Sequence, residues 1–225
     1  MELFVDLHIH SCLSPCGDLL MTPNNIVGMA YLKGLDVIAV CDHNAMGNVA
    51  AVETVGKTMG VAVLPGMELT TREEAHMLAY FPDLEAALPF AGAVRTHLPD
   101  IPNNAQFFGR QVFMDDEDEE TGEEPRLLIS ALTLSFEECA RLIHEYGGIC
   151  VPAHINRGSN GALNTLGFLP ENVDYDALEV SGEAPSLPAA FDSLPRLRSS
   201  DAHYLENISE KKFRLTAREK SARGF

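Results

Sequence analysis

The sequence predicts an α/β fold in which a parallel sheet curls into a barrel. Three observations predict it. Short apolar runs of strand length alternate with amphipathic stretches of helix length, the pattern of successive βαβ units. Some runs, such as Asp36-Val-Ile-Ala-Val-Cys41, are apolar throughout, the mark of a strand covered on both faces. Almost every run also stops abruptly at a histidine or an acid. The 225 residues, 46% of them apolar, are enough for one domain with a full core, taken as 1–225.

In the first strand Leu3, Val5, Leu7 and Ile9 alternate with Phe4, Asp6, His8 and His10. The expectation is one apolar face and one face carrying an acid and two imidazoles. Two His at i and i+2 on a strand point the same way and can grip one metal ion. A loop follows to Met21, and Thr22-Pro23 opens a helix, with Thr as the N-cap and Pro at the first helical position. Gly34 closes it. The next strand ends in Asp42-His43-Asn44. A helix around 50–59 leads to Val61–Leu64, which runs into Pro65-Gly66-Met67-Glu68, and Ala75–Tyr80 reads as a further strand containing His76. A helix fits 84–98. From Pro99 to Pro125 there is no period, and the segment reads as an irregular acidic insertion, a solvated, mobile loop or a lid. Ser135-Phe-Glu-Glu138 is a capping box that opens a helix to Tyr146. Strands follow at Ile149–Ala153, ending in His154, at Ala177–Ser181, and at Leu197–Ser200, ending in Asp201-Ala-His203. A Gly-rich loop, Asn156 to Gly167, separates the first two. The final twenty residues, rich in charge, suggest a short helix and tail.

Charge and cysteine content narrow the function classes. The formal net charge is −17, and eight acids fall between Asp115 and Glu124. Such a surface repels nucleic-acid phosphates at long range, so a nucleic-acid polymer is not expected as a partner. Five cysteines without a disulfide spacing read as free thiols, with Cys12 or Cys16 near a metal as the sharper alternative. No apolar run is long enough for a membrane span and no signal-like start is present, so no membrane contact and a cytoplasmic location are expected. Oligomeric state is not readable.

Seven candidate strands are counted, and six of them end in ligand-type residues: His8/His10, Asp42/His43, Glu68, His76, His154 and Asp201/His203. In parallel barrels the C-terminal strand ends share one face, so these side chains would converge on a metal site. His97 and His144 fall in helical stretches and read as ordinary helix or surface histidines.

As a set, Asp6-Leu-His8-Ile-His10, Asp42-His43-Asn44, Gly66-Met-Glu68, His76, Pro152-Ala-His154 and Ser200-Asp201-Ala-His203 resemble the PHP domain, the polymerase and histidinol phosphatase family of metal-dependent phosphoesterases. They occur in the family's order across nearly the whole chain. The resemblance implies a distorted (β/α)7 TIM-like barrel and two or three divalent metal ions, Zn, Mn or Fe. By it, His8, His10, Glu68 and Asp201 would hold the first ion, and Glu68 would bridge to a second held by His76 and His154. His43 and His203 would hold a third. The loop ligand that relatives place five residues after His10 falls here on Pro15, with Asp18 favoured over Cys16 as a substitute.

The expected function is hydrolysis of a small phosphomonoester, such as a nucleotide or a sugar or amino-alcohol phosphate, by a metal-activated hydroxide. Arg157, three residues after His154, and Asn44 are the candidates for holding substrate, ahead of Arg110 and Arg126. Asp42 and Asp6 read as acids that orient imidazoles. Asp42 and His203 are the candidates for direct catalytic roles. Protonation of the leaving group by His203 conflicts with ligation, so the general acid stays open. Three alternatives stand beside this reading: a nuclease or phosphodiesterase, an amidohydrolase, and a catalytically silent metal-binding module.

Overall fold

The computed structural model describes residues 1–216 and Arg218. Its elements in chain order are β1 (Glu2–Ile9), α1 (Pro23–Leu32), β2 (Val37–Val40), α2 (Val49–Met59), β3 (Ala62–Thr70), β4 (His76–Tyr80), α3 (Leu84–His97), α4 (Ala105–Phe108), β5 (Val112–Met114) and β6 (Glu120–Glu123). After these come α5 (Phe136–Glu145), β7 (Ile149–Pro152), α6 (Ala162–Thr165), β8 (Leu178–Glu179), β9 (Arg196–Leu197) and β10 (Arg214–Thr216).

The centre is a curled six-stranded sheet in the order β10-β1-β2-β3-β4-β7. Its inner face carries Leu3, Val5, Leu7, Val37, Ala39, Leu64, Leu78 and Val151, and its outer face packs against the helices. The helix ends form as expected. Thr22 accepts a bond from the Asn25 amide with Pro23 at the helix start, and Ser135 and Glu138 form the reciprocal capping box.

Strand direction departs from the expected parallel barrel. β1, β2 and β3 pair in parallel, but β4 is antiparallel to β3, with Thr70 opposite His76. The link from Thr70 to His76 is far too short for the helical crossover that a parallel neighbour needs, so the chain makes a hairpin. His76 therefore opens its strand instead of ending it, and reaches the same rim because the strand is reversed. β7, antiparallel to β4, restores the original direction. β8 and β9 pair only with each other, and a bridge between Ile9 and Ala202 leads back to β1. The result is a mixed α/β fold with a partly closed barrel, not a regular count of seven βα units.

β1 also departs from simple alternation. Its register with β2 shifts between Asp6 and Ile9, and Leu7 belongs to the interior while Ile9 packs with the helices. The extra residue switches faces and turns His8 and His10 inward. The Leu7 carbonyl at the switch accepts bonds from the Tyr80 hydroxyl (2.7 Å) and the Cys41 thiol (3.4 Å).

The acidic segment is built, not loose. β5 and β6 form a hairpin, the Val112 amide donates to the Cys12 carbonyl, and Asn48 ties Val112 and Met114 to the loop after β1. Asp118 accepts from the Thr22 hydroxyl and the Asn24 amide at the start of α1, and Glu124 is buried against Arg95. The charged tail expected as a helix contributes β10 to the sheet, and Ala217 and residues 219–225 lie outside the described residues. No helix among the described residues is long and apolar enough to cross a membrane.

Candidate metal centre

Glu68 is the hub of the site. It projects inward from β3, is 1% exposed, and faces five imidazoles. Its Oε1 lies 2.8 Å from His76 Nδ1, 3.1 Å from His154 Nε2 and 3.4 Å from His8 Nε2. Its Oε2 lies 3.2 Å from His43 Nδ1 and 3.3 Å from His10 Nε2. Asp201 Oδ1 closes the set, 3.1 Å from His10 Nε2 and 3.4 Å from His8 Nε2. The His203 ring stacks on His10 with centroids 4.2 Å apart.

These atoms fall into three groups that could each surround a cation: His8, His10, Glu68 and Asp201; His43, Glu68 and His76; and His10, His43 and His203. The first matches the expected set. In the second, His43 stands where His154 was expected, although His154 also reaches Glu68. The donor chemistry fits divalent metals that take nitrogen and carboxylate oxygen. Two ligands at about 2.1 Å from one tetrahedral ion sit roughly 3.4 Å apart, close to the spacings here. His43 Nδ1 and His76 Nδ1 are buried and have no hydrogen bond of good geometry, although each lies near a Glu68 oxygen. A shared cation would satisfy both.

Backbone geometry aims several of these side chains. Asn44, His154 and Asp201 have φ of 50°, 28° and 52°, in the left-handed region that non-glycine residues seldom occupy. Each follows a strand and bends the chain sharply at the rim. Such strain persists only where surrounding bonds enforce it.

Hydrogen bonds behind the ligands fix their tautomers. Ser14 donates its hydroxyl proton to Asp42 Oδ1 (2.7 Å), so its oxygen accepts from His10 Nδ1 (2.9 Å) and leaves His10 Nε2 to face the centre. His8 Nδ1 lies 3.1 and 3.2 Å from the two oxygens of Glu179, which also accepts from the His154 amide (2.8 Å). His203 Nδ1 donates to the Asp201 carbonyl (2.9 Å).

Electrostatics follow from this packing. Burial alone would raise Glu68, but His76, His8 and His43 outweigh it and hold the carboxyl well below its ordinary range. Glu179 is likewise held low by His8 against the effect of burial. Burial disfavours the charged form of His8, yet Glu179 and Glu68 overcome it and raise its pKa well above the ordinary value. Burial and the neighbouring imidazoles push His43 well down, and His203 down to about 3.

Several expected roles need correction. Asn44 cannot hold substrate, because its amide donates to the Leu128 and Ser130 carbonyls and its oxygen accepts from the Thr70 amide. Asp18 stands outside the three groups, and its carboxylate accepts from the Leu20 amide in a local turn. Cys16 is exposed and also outside them. Asp6 touches no imidazole and instead accepts from Ser200 and the Ser209 amide. Asp42 acts only at one remove, through Ser14, and its other partner is Ser11. Arg157 lies half-exposed at the mouth of the site and pairs with Asp201. Arg110 pairs with Glu120 and Glu123 on the surface hairpin, and Arg126 with the Arg95 and Leu98 carbonyls. His97 and His144 lie apart, against Thr133 and Asp176. Glu179 was missed, although an acid inside the apolar run Ala177-Leu-Glu-Val was a usable signal.

The ligands open onto a cleft of about 190 Å³ between Arg157, Asn160 and His203. The residues at ion-pair distance from Glu68 are all histidines, with no lysine of the kind a carbamylated amidohydrolase centre would use, among the described residues.

No family model matches the chain. A curated 5'-3' exoribonuclease of Haemophilus influenzae is 35% identical over 69 residues, which are 31% of this chain and 24% of that protein. The chain thus spans about a quarter of that relative's length. Among solved structures, Endonuclease Q of Pyrococcus furiosus, a lesion-specific endonuclease, superposes with a TM-score of 0.63 at 24% identity, over 91% of this chain and 49% of the other. A structure of Endonuclease Q bound to a 27-mer duplex with an abasic lesion gives 0.65, over 91% and 50%, also at 24% identity. An inferred metal-dependent phosphoesterase of Bifidobacterium adolescentis gives 0.59 at 20% identity, over 92% of this chain and 88% of that one. These likenesses establish the fold. They also overturn the exclusion of nucleic acid that net charge suggested, since Endonuclease Q, half of which shares this fold, is bound to a DNA duplex substrate.

Proposed function

We propose that this chain is a PHP-type, metal-dependent phosphoester hydrolase. The observation that carries the reading is Glu68, one buried carboxylate whose two oxygens face five imidazoles. Two or three divalent ions (Zn, Mn or Fe) held there would supply a nucleophilic hydroxide near neutral pH and positive charge for the phosphate oxygens. The chain's own part is to fix geometry. Ser14 and Glu179 present the Nε2 atoms of His10 and His8, and Glu68 would serve as a ligand shared by two of the groups. Burial keeps bulk water away from the ligands. Arg157 sits where its guanidinium can pair with a substrate phosphate while contacting Asp201. His203, uncharged near neutrality with its one proton on Nδ1, would serve as a ligand through Nε2 and not as the acid for the leaving group.

The cleft suits a small phosphomonoester or the end of a longer phosphorylated chain. Nuclease action is the second reading, favoured by the exoribonuclease likeness. The test is phosphate or nucleotide release by the Mn-reconstituted protein from small monoesters, diesters and short oligonucleotides. Turnover abolished by His10→Ala supports the reading, and the preferred panel member decides between its two forms. A fully metallated protein silent on every ester would refute it.

A further inference from the structure

The partly closed barrel leaves a groove of about 240 Å³ beside β9, away from the metal ligands. Its walls carry Arg196, Arg198, Lys212 and Arg214, and its floor includes Leu197 and Phe213. Four cations converge there in a chain of net charge −17. The Arg196 guanidinium is held in place by donation to the Leu194 (2.7 Å) and Phe191 (2.9 Å) carbonyls. Arg198 and Lys212 are exposed, and Arg214 meets Glu2 at 3.3 Å in a pair open to solvent.

The groove is joined to the active-site rim by a single turn. Asn156, next to Arg157, donates to the Ser181 (2.6 Å) and Glu183 (3.0 Å) carbonyls, and Arg198 donates to the Gly182 carbonyl between them. Arg198 also precedes Asp201 by only three residues. Arg157 at the cleft and Arg196, Arg198, Lys212 and Arg214 in the groove therefore lie on either side of this turn.

We propose that this groove is a track for a single-stranded nucleic acid whose end enters the metal cleft. The proposal rests on the phosphoester hydrolase reading and adds its substrate class. Cations along a groove can contact successive phosphates of a strand, and the apolar residues among them offer a face to unpaired bases, which a duplex would not expose.

The test is fluorescence anisotropy of a labelled 12-nucleotide single-stranded RNA with the metal-free protein, so that binding is read without cleavage. Four phosphate contacts on a single strand imply a salt slope of about −2.8, a loss of roughly 50-fold in affinity from 50 to 200 mM salt. In R198A/K212A, with two contacts left, binding is weaker and that loss shrinks to about 7-fold. Hydrolysis of p-nitrophenyl phosphate by the metallated variant stays unchanged, because neither residue touches the cleft. Absence of RNA binding, equal binding by native and variant proteins, or preference for a poly-glutamate peptide would overturn the track. If the binding difference appears but neither protein hydrolyses any ester, the track stands and the hydrolase reading fails.

Discussion

Glu179→Gln isolates the contribution of a residue that touches no metal. Glu179 is 3% exposed, and both of its oxygens lie within 3.2 Å of His8 Nδ1. The substitution keeps the shape and removes the charge. Partners of this kind typically change metal affinity 10- to 100-fold, about 1.4–2.8 kcal/mol. Proton linkage adds a second readout. Without metal, the raised pKa of His8 means that it carries a proton near neutrality, so a binding cation must displace that proton. Affinity therefore climbs with pH until the folded pKa of His8 is passed. With Gln at position 179 the pKa of His8 falls, and less proton is released at pH 7. Calorimetric titration with Zn in buffers of different ionisation enthalpy measures both quantities, and a melting curve checks the fold. Unchanged affinity together with unchanged proton release would refute the idea that Glu179 governs His8.

Three further predictions test the surroundings. Ser14→Ala removes the acceptor that sets the His10 tautomer and should weaken Zn binding about tenfold, measured by chelator competition, with little change in far-UV dichroism. Gly66→Ala would place a Cβ 2.6 Å from Cys41 Sγ and 3.2 Å from the Val40 carbonyl, costing about 1–3 kcal/mol in a denaturant titration, and Cys41→Ala in the same chain should recover part of the loss. In the metal-free protein, the depressed pKa of Glu68 contributes stability that is present above its unfolded value of 4.5 and is lost as pH falls through the folded value. Glu68→Gln should therefore flatten the fall in Tm below pH 4.5, and an unchanged profile would contradict the ionised hub.

Much of the candidate site was legible because the side chains that converge around Glu68 stand at or near strand ends, and strand ends are marked by the stop of an apolar run. His8, His10, Glu68, His154 and Asp201 were readable in this way. Asn44 misled for a physical reason. Its place beside His43 looks functional, but its positive φ turns the side chain onto the Leu128 and Ser130 carbonyls, where it stitches the rim to the following segment. Asp18 misled because proximity in sequence to His10 says nothing about the turn that consumes its carboxylate. The acidic run looked solvated because composition alone cannot show that Asp118 caps α1 or that Glu124 lies buried against Arg95.

The two errors in strand geometry explain how the centre is assembled. A regular parallel barrel would send His76 to the opposite end from Glu68, given its place at the start of β4. A straight β1 would keep His8 and His10 on the face opposite Leu7. The hairpin between β3 and β4 corrects the first, and the register shift after Asp6 corrects the second. Each irregularity delivers imidazoles to one carboxylate, and each is locked by interior bonds. Tyr80 and Cys41 donate to the Leu7 carbonyl at the shift, and Thr70 pairs with His76 in the hairpin. Tyr80→Phe is thus expected to loosen the shift without touching a ligand. The buried Leu7 carbonyl would lose its 2.7 Å bond while keeping that of the Cys41 thiol, destabilising the fold by about 0.5–1.5 kcal/mol. It should also weaken metal binding at the His8–His10 group more than at the His43–Glu68–His76 group, because only the former rides on β1. Stepwise Zn titration followed by calorimetry resolves the groups. Equal weakening of both would mean that the register shift is not what positions the histidines of β1.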